Sequence, residues 1–119
     1  VSLAGRLTLR QTGAFLQRCE LMIGNDSSPL HMSVAVGTPT VALFGPTDLR
    51  NFGPQGEENR VIHKELPCSP CFHWLGGPWE YLNAHRFPDC NARCMQLIQP
   101  DEVVTAAREQ LLRRRSRNG

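Results

Sequence analysis

No stretch of this sequence approaches the roughly 20 consecutive apolar residues that a membrane-spanning helix needs, which excludes a hydrophobic transmembrane segment. The first residues, Val1 to Arg10, also lack the basic, then apolar, then small-residue order of a secretory signal. The expectation is a soluble chain on the cytoplasmic side. Charge of one sign is scarce too. The net is +2 over 119 residues, without the broad basic surface of a nucleic-acid-binding domain, and no nucleic-acid partner is expected. Much of the excess lies in the final "RRRSRNG", where basic residues complement the negative end of a helix dipole. The same tail is where a peripheral contact with anionic lipid headgroups on the inner face of the cytoplasmic membrane would form.

Internal repeats and low-complexity linkers are missing, and the length suits one modest domain or a piece of something larger. Five cysteines make an odd number. Cys19 stands alone in a helix-like segment and reads as a small buried hydrophobe, while the others pair as Cys68/Cys71 and Cys90/Cys94.

Thr8 and Gln11 have the spacing at which a hydroxyl and an amide side chain satisfy each other's orphan helix amides, predicting a helix from Leu9 to Arg18. Leu21 to Gly24 reads as a short strand and Asn25 to Ser28 as its exit turn. Pro29 suits a helix first turn, and "LHMSVAV" continues as a short, largely buried helix to Gly37. Thr38 to Phe44 is a second strand, closed by Gly45 and Pro46, and a third lies around Arg60 to His63. Strand, helix, strand without a hairpin signal is a parallel crossover unit, so the fold class is α/β. Residues 67–94 form an irregular Cys- and Trp-rich excursion. A last helix opens at Pro100, with Val103, Val104, Ala107 and Leu111 as its apolar stripe, and runs to about Arg114.

In a parallel sheet the strands' carboxyl ends meet the amino ends of the following helices, an edge suited to anions. Asn25, Asp26, Ser27 and Ser28 fall on that edge. The serines can offer amides and hydroxyls to a phosphate. Asp26 would repel one, so its work there is positioning, capping or accepting from a sugar hydroxyl. His31 lies one helical turn on and can donate to a phosphate oxygen. The plainer alternative makes Asp26 or Ser27 an N-cap and His31 a satisfied core histidine. Gly45, Pro46, Thr47 and Asp48 end the second strand on the same edge, the glycine permitting close approach of a ligand, the last two offering a hydroxyl and a carboxylate.

The run "GNDSSPLHMSVAVGTPTVALFGPTD", with "LTLRQTGAFLQRCELMI" before it and "DEVVTAAREQLL" after, resembles the C-terminal half of family 9 glycosyltransferases, the heptosyltransferases of lipopolysaccharide core assembly. The resemblance implies a GT-B arrangement of two Rossmann-like domains, of which residues 1–119 would be the nucleotide-sugar-binding one, a partial Rossmann-like parallel sheet lacking its first strands. It implies that Asp26, Ser27, Ser28 and His31 meet the donor's diphosphate and sugar, and that Gly45 to Asp48 line the same cleft. Family members usually carry glycine at the position of Ser28, so a positive φ there would strain this chain. The N-terminal domain, where the family's catalytic base and saccharide acceptor site lie, is not part of the sequence, and no catalytic residue is expected in it. The family inverts the anomeric carbon without a metal, and ADP-heptose is its best-known donor.

"CSPC" and "CNARC" have the general layout of a tetrahedral thiolate site for structural zinc, with Cys68, Cys71, Cys90 and Cys94 as ligands. Packed reduced thiols and, against a reducing cytoplasm, a disulfide are the alternatives. Trp74, Trp79 and Tyr81 in the same excursion are either a sugar platform or ordinary aromatic packing. The rival to a donor-binding domain is a non-catalytic module, zinc-stapled or phosphate-binding, that engages a protein partner.

Overall fold

A computed structural model describes residues 1–71 and 91–119. Cys90, Trp74, Trp79, Tyr81 and most of the expected excursion lie outside the described residues. In chain order the elements are α1 (Leu9–Gln17), β1 (Met22–Asn25), α2 (Ser28–Ala35), β2 (Thr40–Leu43), α3 (Leu49–Phe52), β3 (Asn59–Ile62), α4 (Arg93–Gln96) and α5 (Pro100–Asn118). The three strands make one sheet in the order β1-β2-β3, both pairings parallel, with Ala42 opposite Gly24 on one side and Val61 on the other. The α/β class and the parallel sheet with flanking helices are as expected.

The capping box predicted for α1 is present: the Gln11 amide donates to Thr8 Oγ1 and the Thr8 amide to Gln11 Oε1. α2 ends at Ala35 with Val36 as its C-cap, after which Gly37 takes φ +78°, a backbone that side chains resist. α2 is less buried than its composition suggests. Only Leu30 and Ser33 are buried, because one face rests on β1, β2 and α1 while His31 and Ala35 stay outside.

Side chains alternate across β2, and each face has its own cover. Ala42 and Phe44 join Leu30 in a fully buried cluster, with Met22, Leu49, Phe52 and Val61 packed around it. Burial of Leu30 and Phe44 stabilises the fold by about 1.5–3 kcal/mol each before entropy is counted. Val41 points the other way and is also fully buried, while α5 packs on β2 and β3. The buried face of α5 departs from the predicted stripe. Ala106 and Gln110 are buried and Val104 is 46% exposed, because the seam follows the line of contact with the sheet rather than the most hydrophobic positions. α4 begins inside the stretch read as irregular, and the four-residue α3 is an element the sequence did not suggest.

Polar side chains tie these layers together. Thr38, 1% exposed, donates its hydroxyl to Leu16 O at 2.7 Å, joining the end of α1 to the start of β2. Arg114 near the end of α5 donates to the carbonyls of Cys19 and Glu20 at 2.8 and 2.7 Å, and Gln110 donates to Glu57 O. At the other end of α5, Glu102 accepts from the Gln99 amide and pairs with Lys64. Donation by Lys64, then by the Gln99 amide, holds its carboxyl below the usual value of 4.5.

Replacing Thr38 with Val, which keeps the shape but not the hydroxyl, is expected to lower stability by about 1 kcal/mol in urea denaturation. A carboxyl whose pKa is lower folded than unfolded adds stability that is present above its unfolded value and lost as pH falls through the folded one. Glu102→Gln keeps an acceptor for the Gln99 amide but no charge for Lys64. Its unfolding midpoint is therefore expected below that of the unsubstituted chain at neutral pH, the gap closing as pH drops beneath 4.5.

Candidate functional site

Parallel pairing sends β1, β2 and β3 toward a common edge, so the turns into α2 and α3 open side by side. Asn25 is the last residue of β1 and is exposed. Asp26 and Ser27 make the turn, and Ser27 is the N-cap of α2 with extended backbone. Its hydroxyl does not cap the helix: it donates to Asn25 O at 3.2 Å, and α2 has no side-chain cap hydrogen bond among the described residues. Ser28 is the first helical residue, and the positive φ that would have strained it is absent. Pro29 follows it and has no amide to satisfy.

Asp26 and His31 come together across that first turn. His31 Nε2 donates to Asp26 Oδ1 at 2.7 Å, the side chains being 45% and 18% exposed respectively. Of the plainer alternative, Ser27 does occupy the N-cap position, though without a side-chain hydrogen bond, while His31 is not a core histidine. The carboxylate instead fixes the ring's orientation, and the ring's Nδ1 has no partner among the described residues. With the ring neutral, Nδ1 accepts from a hydroxyl; with the ring protonated, it donates to an anion.

The second turn is built differently. Gly45 is buried, Pro46 exposed and Thr47 half-buried. A Cβ on Gly45 would stand 2.6 Å from Met95 Sδ and 2.9 Å from Cys94 Sγ, so what comes close to this glycine is α4. Asp48, 3% exposed, caps α3 by accepting from the Arg50 amide at 2.9 Å and pairs with the Arg50 guanidinium at 2.6 Å. Hydrogen bonding to Asp48, reinforced by its charge, raises the Arg50 pKa further. The carboxylate expected to face a sugar is thus turned onto Arg50, which puts an 83%-exposed cation on the same edge. Arg50 was missed from sequence because its cue, an Asp two residues before an Arg, has meaning only once a helix is known to start between them.

The cysteine segment meets this turn as well. Cys71 donates its amide to Pro46 O, and buried Cys94 packs at Gly45. Among the described residues no three His, Cys, Asp or Glu side chains stand together to hold an ion, and Cys90 lies outside them. The expected four-thiolate set includes Cys90 and so reaches beyond the described residues.

The sequence profile described as glycosyltransferase family 9 (heptosyltransferase) matches residues 1–76. Lipooligosaccharide heptosyltransferase 2 of Campylobacter jejuni is 34% identical over 105 residues, which are 87% of this chain and 28% of that protein. Lipopolysaccharide heptosyltransferase 3 of Escherichia coli K12 is 34% identical over 110 residues, 92% of this chain and 28% of that protein. The crystal structure of a family 9 glycosyl transferase from Veillonella parvula superposes with a TM-score of 0.70 at 28% identity, covering 92% of this chain and 28% of that one. The chain thus spans about 28% of the length of each of these relatives.

The contact at Gly45 predicts a specific cost. Gly45→Ala is expected to destabilise the chain by about 1–3 kcal/mol in urea denaturation, as overpacked cores do. Adding Met95→Ala is expected to recover only part of it, because the short Cys94 side chain cannot swing away as the methionine can.

Proposed function

Because the chain belongs to glycosyltransferase family 9, we propose that it carries the nucleotide-sugar donor site of an inverting glycosyltransferase of lipopolysaccharide core synthesis, with ADP-heptose as the donor. The observation that supports this most is the Asp26–His31 pair at the amino end of α2, whose first turn has no side-chain cap. A helix amino end carries roughly half a positive charge and amides aimed outward, which suits a diphosphate.

In this reading Ser27 and Ser28 take the diphosphate with amides and hydroxyls, and His31 donates to a phosphate oxygen. Asp26 holds the ring and accepts from a sugar hydroxyl, leaving the phosphates to neutral and cationic groups. Gly45, Pro46, Thr47 and Asp48 form the second wall, with the Thr47 hydroxyl toward the sugar and Asp48 anchoring Arg50. An acceptor hydroxyl, deprotonated by a carboxylate outside this chain, attacks the anomeric carbon from the face opposite the diphosphate. Charge grows on the departing nucleoside diphosphate as the bond breaks, and a prearranged helix end stabilises it without a metal cofactor. The saccharide acceptor belongs to the N-terminal domain typical of the family. The enzyme would work in the cytoplasm, in peripheral contact with the inner membrane where that acceptor is anchored; among the described residues no helix is long and apolar enough to cross it.

Isothermal titration of ADP and ADP-heptose into the folded chain tests the proposal. Both are expected to bind, and Asp26→Ala and His31→Ala each to weaken binding about tenfold, the scale of losing a hydrogen bond to a charged group. A folded chain that takes up neither nucleotide overturns the reading.

A further inference from the structure

The turn between β2 and α3 is gripped at two successive peptide units by a segment distant in sequence. Ser69 Oγ donates to Gly45 O at 2.6 Å and the Cys71 amide donates to Pro46 O at 2.9 Å. The Ser69 amide in turn donates to Leu66 O at 2.9 Å, which folds the segment into a turn of its own. On another side Cys94 and Met95 close on Gly45, leaving no room for even a Cβ.

A trans peptide unit is planar, with its carbonyl and amide pointing in opposite directions. Holding Pro46 O toward Cys71 therefore turns the Thr47 amide away from the 66–71 segment. That amide has no hydrogen-bond partner among the described residues, although Thr47 is half-buried and the neighbouring Arg50 amide is taken by Asp48. A donor held in place by its own peptide plane, and turned away from the segment that braces it, is a hydrogen bond whose ordering is complete before a ligand arrives.

We infer that Ser69 is a positioning residue of the donor site, bracing the Gly45–Pro46–Thr47 backbone so that the Thr47 amide is presented to an oxygen of the bound nucleotide-sugar. The inference rests on the donor reading for what the amide meets, and on the two hydrogen bonds for how it is held. Ser69 itself touches no ligand, and its hydroxyl acts through the loop.

Amide NMR on the whole chain, with ADP as the probe, tests both parts. In the unsubstituted protein the Thr47 amide is expected to be rigid, with an order parameter of about 0.85, and its resonance to shift on ADP addition. In Ser69→Ala the Thr47 order parameter is expected to fall toward about 0.6 while those of β1 and α5 stay unchanged. ADP is expected to bind about three- to tenfold more weakly, the scale of one lost neutral hydrogen bond. Ser69→Thr, which keeps the hydroxyl, is expected to restore both. An unchanged Thr47 order parameter in Ser69→Ala, or no rescue by threonine, overturns the brace. A loosened loop with unchanged ADP affinity, while Asp26→Ala still weakens binding, overturns the positioning role and leaves the donor reading standing. A rigid Thr47 in an unsubstituted chain that binds no ADP overturns the donor reading and the role of Ser69 with it.

Discussion

The parallel pairing of β2 with both its neighbours is the constraint on which the rest hangs. Parallel strands cannot be joined by tight hairpins, so each must be followed by a connection that returns to the start of the sheet. The turns into α2 and α3 are the opening moves of such connections, and they share an edge for that reason alone. The identity of β2 makes the pairing firm: Val41 and Ala42 are completely buried on opposite faces, so the strand is committed to a central place with a helical layer on either side. Thr40 adds a cross-strand bond to Asn59 that fixes the register of β3.

The two turns solve different physical problems. At the first, backbone polarity is left open: α2 starts without a side-chain cap and its nearest carboxylate is spent on a histidine. At the second, the carbonyls are taken by the protein, with Gly45 O and Pro46 O accepting from the 69–71 segment and Asp48 capping α3, while the Thr47 amide has no partner among the described residues. An uncapped helix start loses stability that a capping side chain would have supplied, about 1 kcal/mol in typical cases. The second turn is the more firmly held of the two, by two hydrogen bonds from the 69–71 segment and by the close packing of Cys94 and Met95 on Gly45.

Much of this was legible in the residues. The Thr8/Gln11 spacing located the start of α1 to the residue, Pro29 and Gly37 bracketed α2, and the run from Thr38 to Phe44 contained β2 with a margin at each end. The meeting of Asp26 and His31 was foreshadowed, because groups costly to bury, one helical turn apart, were crowded between two strands. What could not be read were interactions closed through space. The partnership of Asp48 with Arg50 requires α3, which four residues of ordinary composition do not announce. The Ser69 contact joins residues 24 positions apart. The seam of α5 escaped because the helix tucks Gln110, a polar residue with a carbonyl partner, where the pattern favoured Val104.

The arginines that end α5 have a consequence for how the protein is made. Arg114 holds the carbonyls of Cys19 and Glu20 across separations of 95 and 94 residues, and Arg117 reaches Glu57 and Glu58. Contacts so remote in sequence cannot form until both partners exist, and they slow the final closing of a fold. A chain emerging from the ribosome can assemble α1, α2 and the three strands well before α5 appears. During that interval the face bearing Val41 lacks its helix, and the nascent sheet is a candidate client for a chaperone until the last turns of α5 lock it from behind.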